Sequence, residues 1–170
     1  MKQLLITADV HGSFNTWMTI RELLAADDGL AVAGDLFDPR YGNYGSPDFV
    51  PDVIKADLDG FPHPFYYVYG NCDVASFFPG HGKEKTFDAF GKTIFLHHGH
   101  GRPAVPARAD IVIQGHTHLC MLEEQNGRIY LNPGSMTCPR NGLPSYAHMD
   151  ESGLSLKALQ TGDLLAAISF

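Results

Sequence analysis

No stretch of this chain collects lysine and arginine, and its 12 basic residues are outnumbered by 19 acidic ones, for a net charge of −7. Broad binding along a nucleic-acid backbone needs a basic stripe, so that class of partner is disfavoured. A small anionic substrate stays open if a metal supplies positive charge locally. Cysteine is also scarce: Cys72, Cys120 and Cys138 are three in number and far apart. That fits neither a disulfide framework nor a cysteine-built zinc site. No apolar run approaches the length that spans a bilayer. The opening "MKQLLITADV" reaches Asp9 too early for a signal peptide. The expected setting is a reducing cytoplasm, without a membrane partner.

What the chain does have is the make-up of an ordinary globular protein: 170 residues, 44% hydrophobic and 18% charged. That length favours one domain over residues 1–170, with a sizeable core. Histidine is the outlier. Nine are present, and five fall in "HHGH" at 97–100 and "GHTH" at 115–118. Clustered imidazoles in an acidic protein make metal the first thought.

Short apolar runs read as buried strands over 4–9, 30–34, 65–70, 93–97 and 110–115. Ser13 is placed to cap a helix over about 14–27, where Trp17, Ile20 and Leu24 share a face. A second helix is expected from Asp48 to about Asp59, and Asn126-Gly127 marks a hairpin. A loop with Pro79, Gly80 and Gly82 leads to the strand at 93–97, residues 99–110 read as loop, and the tail from 145 as two or three further strands. Strand and helix alternate in the first half and strands dominate the second, which suggests two sheets with helices outside them.

The organising observation is positional. Strand after strand ends in a residue type that binds metal: Asp9 and His11, Asp35, Asn71, His97 and His98, then His116 and His118. Ligands in open α/β sheets collect at the carboxyl ends of strands. Any one of these residues has a structural explanation, Asp9 or Asp35 as a cap and Asn71 as a left-handed bend. Five strand ends together do not. The chemistry that fits is a two-metal site, in which paired cations clamp a phosphoryl group and activate water. Mixed carboxylate, amide and imidazole donors suit Mn²⁺, Fe²⁺ or Zn²⁺ better than Ca²⁺.

In order and spacing, "DVHG", "GD", "GNCD", "HGH", "GHTHL" and "NPGS" resemble the motifs of calcineurin-like metallophosphoesterases. The likeness points to the small bacterial phosphodiesterases of the YfcE type and to the retromer subunit that shares their fold. The resemblance implies a four-layer α-β-β-α sandwich of two facing mixed sheets. It implies hydrolysis of a small phosphodiester by a hydroxide bridging two divalent metal ions, Mn²⁺ foremost, with Fe²⁺, Zn²⁺ or Ni²⁺ as alternatives. It assigns Asp9, His11 and His118 to the first metal, Asp35 as the bridge, and Asn71, His98 and His116 to the second. Asn71 and His98 then also act in catalysis, His100 is a candidate phosphate contact, and Asn132 to Ser135 form a supporting loop. A homo-oligomer is plausible on the same ground. The alternatives are a non-catalytic scaffold of this fold, and a phosphomonoesterase.

Cys72 departs from the wider superfamily, where a histidine commonly follows the Gly-Asn and protonates the leaving oxygen. A thiol with a pKa near 8.5 is a poor substitute at neutral pH. Asp73 is expected to support the site or the fold. Two further signals carry less. "FGKT" at 90–93 lacks the first glycine of a phosphate loop, having Thr86 in its place, and Pro103 and Pro106 oppose a dinucleotide turn at 99–104. His63, His81 and His148 read as surface or loop residues, and the aromatic run 65–69 as strand core.

Overall fold

The computed structural model describes all 170 residues as eleven strands and two helices. β1 (Leu4–Thr7), β2 (Gly29–Val32) and β3 (Phe65–Tyr67) run parallel, and β9 (Ser145–Asp150), β10 (Gly153–Ala158) and β11 (Leu164–Ser169) extend the same sheet antiparallel in the order β11-β10-β9-β1-β2-β3. The second sheet has the order β4-β5-β6-β8-β7. It comprises β4 (Glu84–Ala89), β5 (Lys92–His97), β6 (Ile111–Ile113), β7 (Cys120–Gln125) and β8 (Arg128–Pro133). β5, β6 and β8 are parallel, and the two outer strands are antiparallel to their neighbours.

The period-two rule explains how β1 serves two cores at once. Leu4 and Ile6 join Ala31, Leu96, Ile113 and Leu131 in the cluster between the sheets. Leu5 points the other way, to Trp17 and Ile20 of α1 (Phe14–Leu23) and Ile54 of α2 (Pro51–Leu58). Each such fully buried aliphatic side chain contributes about 2 kcal/mol. The two facing mixed sheets are those expected, with helices on one outer face. On the other face the covering layer is the 98–110 segment: Val105 and Ala109 pack on Phe95, Val112 and Tyr130. Arg128 ties that segment down by donating to the carbonyls of Pro106, Ala107 and Ala109. Prolines at 103 and 106 keep it from becoming a helix.

Local differences from the sequence reading have identifiable causes. α1 is capped by Ser13 Oγ, which accepts from Thr16 N at 3.2 Å, but it ends at Leu23. There the chain turns, and Ala25 N donates to Asp28 Oδ2. α2 starts at Pro51, because the Asp48 carboxylate is engaged with Ser13 Oγ at 2.7 Å and Asn15 N at 2.9 Å. β4 was read as loop; it is an edge strand with exposed Glu84, Lys85 and Asp88, joined to β5 at Phe90-Gly91. Both turn residues have positive φ, 50° and 71°, so "FGKT" is a hairpin turn.

His148 is another correction. It sits in β9 between Leu5 and Ser155, and its Nδ1 is buried without a hydrogen-bond partner. Burial foremost, and the Lys157 charge, hold its pKa down at about 4. A histidine kept neutral in the fold loses stability as pH falls, because only the unfolded chain takes up the proton. Stability is therefore expected to drop between about pH 6.5 and pH 4. His148→Gln should show a shallower decline in melting temperature over that range than wild type. Identical slopes would count against the assignment.

Candidate metal centre

The loops that follow β1 and β2 pair through their backbones. Asp9 N donates to Gly34 O at 3.0 Å and His11 N to Asp35 O at 2.9 Å, which sets the two carboxylate loops side by side. Gly115 N donates to His98 O at 3.1 Å and His116 N to Asp9 Oδ2 at 3.0 Å, so both histidine turns join them. The backbone is strained here. Nine non-glycine residues have φ between 45° and 70°, and six of them are Asp9, His11, Asp35, Asp38, His116 and His118. Such conformations cost free energy and concentrate where side chains must be aimed. Gly70 answers a different need: a Cβ there would collide with the Asp35 carboxylate.

Three triads of potential ligands result, Asp9–His11–His118, Asp9–Asp35–His98 and His11–Asp38–Cys72, each with its donor atoms within 4.8 Å of one another. His118 Nε2 lies 3.3 Å from Asp9 Oδ1 and 3.3 Å from His11 Nε2. His98 Nε2 lies 3.2 Å from Asp35 Oδ2, 3.1 Å from Asn71 Oδ1 and 4.0 Å from Asp9 Oδ1. The carboxylate common to the first two triads is Asp9, where the resemblance named Asp35. The His116 ring belongs to none of the three; it lies against His98 at 5.1 Å between centroids. His100 is farther out, 5.4 Å from the His98 ring. His97 is a buried strand residue.

Each ring nearest the centre is held by its outer nitrogen. His11 Nδ1 donates to Asp38 Oδ2 at 3.0 Å, His98 Nδ1 to Ala33 O at 2.7 Å and His118 Nδ1 to Cys138 O at 2.7 Å. With Nδ1 donating, the neutral ring leaves Nε2 free to ligate a cation, and the Nε2 atoms of His11 and His118 lie 3.3 Å apart. Asp9 Oδ1 is buried with no hydrogen-bond partner. Bare nitrogens and an orphan carboxylate oxygen converging on one point are what a divalent cation satisfies.

The titration behaviour agrees in direction. Burial is the largest influence on Asp35 and opposes its ionisation, yet His98 and the Cys72 N–H outweigh it and hold the carboxyl at about 2. Burial likewise works against a charged His98, but Asp35 and Asp9 raise its pKa overall. His118 is raised, first by the Asp9 carboxylate 3.3 Å away. His116 and His100 are lowered, by burial and then by the neighbouring His98. A cation binding at the Nε2 atoms of His98 and His118 would compete with protons there.

Asp38 was not singled out in the sequence, although "GDLFDP" repeats an acid three residues after Asp35. It orients His11 and also accepts from Tyr41 N at 3.1 Å. Asp73 is buried and accepts from Gly70 N and Phe37 N at 2.9 and 3.0 Å, and from Leu36 N, holding the two loops together. The 132–135 segment supports the centre: Asn132 Nδ2 donates to Gly115 O at 2.9 Å and Ser135 Oγ to Asp9 O at 2.8 Å. Cys72 is buried. Its backbone N–H donates to Asp35 Oδ1 at 2.7 Å, and Asn71 Nδ2 donates to its Sγ at 3.2 Å. Burial first, and then the Asp35 charge, push the thiol pKa well up.

Comparison with known proteins agrees with this picture. The family model described as the calcineurin-like phosphoesterase superfamily domain matches residues 1–153. The chain is 29% identical to phosphodiesterase YfcE of Escherichia coli K12, across 99% of this chain and 98% of that protein. It superposes on a solved structure of the E. coli YfcE phosphoesterase with a TM-score of 0.82 at 28% identity, over 98% of both chains. A Zn²⁺-complexed Vps29 from Entamoeba histolytica shares the fold, with a TM-score of 0.66 at 20% identity over 98% of both chains.

Proposed function

The chain belongs to the calcineurin-like phosphoesterase superfamily, and on that footing we propose that it is a metal-dependent phosphodiesterase acting on a small substrate at the Asp9–Asp35–His98 cluster. The observation that carries this most directly is Asp9 Oδ1, buried, unpartnered and flanked by His118 Nε2 at 3.3 Å. The set we propose is Asp9, His11 and His118 for one cation, and Asn71, His98 and His116 for the other. Asp35 would serve as the ligand shared between them. The donor mix suits Mn²⁺, with Fe²⁺, Zn²⁺ or Ni²⁺ as alternatives. When bound, the two cations supply charge neutralisation at phosphorus and a hydroxide at neutral pH.

The chain's own contribution is orientation. Asp38, Ala33 O and Cys138 O fix the tautomers of His11, His98 and His118, so that each presents Nε2 inward. The Asn71 amide stands at the centre, where its N–H bonds can stabilise the extra negative charge on a phosphoryl oxygen. No strong acid follows it. The Cys72 thiol, held neutral, is neither a nucleophile nor an effective proton donor.

Two measurements check these roles. Cys72→Ser should keep hydrolysis of bis(p-nitrophenyl) phosphate within about threefold of wild type, since no covalent step passes through sulfur. A thousandfold loss would make the thiol a nucleophile after all. In parallel assays with Mn²⁺, the aryl diester should be turned over at least about tenfold faster than p-nitrophenyl phosphate, and a strong monoester preference would overturn the choice. The scaffold alternative draws support from the fold shared with Vps29. Because that Vps29 was itself solved with Zn²⁺, metal content does not separate the two readings, whereas turnover does.

A further inference from the structure

Two cavities open on either side of the metal centre, and their linings differ in charge. On the His11 and His118 side lies a cavity of about 430 Å³ that Tyr41, Asn43, Ser46 and Phe49 line together with Asp38 and Asp48. It contains no lysine or arginine. Both carboxylates are engaged, Asp38 with His11 and Asp48 with Ser13, and an added anion would meet two negative charges there. The aromatic faces of Tyr41, which is 69% exposed, and Phe49 suit an uncharged ring. On the Asn71 side a second cavity of about 350 Å³ carries Arg40, Lys83 and His100. Its one acid, Asp73, is consumed by the backbone N–H groups of Leu36, Phe37 and Gly70.

The 38–47 loop supplies walls to both cavities: Tyr41 and Asn43 to the first, Arg40 to the second. Arg40 is anchored by Asn71 O, to which Nη1 donates at 3.5 Å, and by the Tyr41 ring at 5.8 Å. Neither Arg40 nor Lys83 forms an ion pair. Two unpaired cations lining one cavity with Asn71, in a chain of net charge −7, provide for more negative charge than one phosphodiester brings.

We infer that the substrate is an asymmetric phosphodiester: one arm is an uncharged ring-bearing alcohol seated against Tyr41 and Phe49, and the other carries a second phosphate held by Arg40 and Lys83. This rests on the phosphodiesterase reading and names its substrate class. The phosphorus under attack lies at the metal centre, and the two arms diverge into the two cavities.

The test uses two thymidine 5′-phosphate diesters with Mn²⁺, one with ethanol and one with ethylene glycol monophosphate, which differ only in the added phosphate. Wild type is expected to favour the phosphorylated diester by about tenfold in kcat/KM, expressed in KM. That ratio should fall to about one in the Arg40→Gln/Lys83→Gln double variant and persist in Arg108→Gln, which removes a charge from a different surface. Exchanging the thymidine arm for methyl should raise KM in wild type and much less in Tyr41→Ala. A ratio near one in wild type, or a preference that survives the double variant, would overturn the inference. Bis(p-nitrophenyl) phosphate is assayed alongside: turnover of it with no charge preference sinks this inference alone, and no turnover of any diester sinks the phosphodiesterase reading too.

Discussion

Replacing Asp35 with alanine is expected to cut Mn²⁺-supported hydrolysis of bis(p-nitrophenyl) phosphate by about a thousandfold or more. The carboxylate is buried and ionised, with Oδ1 held by Cys72 N at 2.7 Å and Oδ2 facing His98 Nε2 at 3.2 Å. Its loss removes a proposed metal ligand and the partner of His98 Nε2. It also leaves the Cys72 N–H without its acceptor. Because Ala is smaller and Gly70 packs directly on the carboxylate, the fold should tolerate the change. Circular dichroism would confirm that lost activity is not lost structure. Equal rates in Asp35→Ala and wild type would remove the centre from the chemistry altogether.

The second large effect is thermal. At about a hundredfold excess over its dissociation constant, Mn²⁺ should stabilise the protein by about 2.7 kcal/mol. For a chain of this size that is a rise in melting temperature of about 5–10 °C. The physical source is the Asp9 carboxylate, fully buried with Oδ1 unpartnered, beside lone pairs on His11 and His118. In chelator, Asp9→Ala removes the acceptor of His116 N and the carboxylate beside His118, and should melt below wild type. With Mn²⁺ the rise should vanish in this variant. A full rise in Asp9→Ala would place the cation elsewhere.

The site was legible because strand ends are legible. Asp9, Asp35, Asn71, His98 and His116 each follow a short apolar run, and parallel strands deliver such residues to one edge of the sheets. What could not be read is geometry across loops. That Asp9 stands in two triads, and that the His116 ring stands aside, depends on left-handed backbone at Asp9, Asp35 and His116. No sequence period encodes that. Asp38 escaped because a carboxylate that orients a histidine looks like any loop acid until the turn places it 3.0 Å from Nδ1. β4 escaped because its exposed Glu84, Lys85 and Asp88 break any regular alternation and it turns at Phe90-Gly91 rather than at Asn-Gly. The covering layer over Phe95 and Val112 is held by proline geometry and by Arg128, features with no periodic signature.

The central claim is that this centre, filled with two cations, hydrolyses a phosphodiester. Its most direct test is to strip the purified protein of metal and titrate it with Mn²⁺ while following bis(p-nitrophenyl) phosphate hydrolysis. Activity should rise from background and saturate at two equivalents per chain in wild type, and stay at background in Asp35→Ala. Full activity in the stripped protein, or two bound equivalents without turnover, would contradict it.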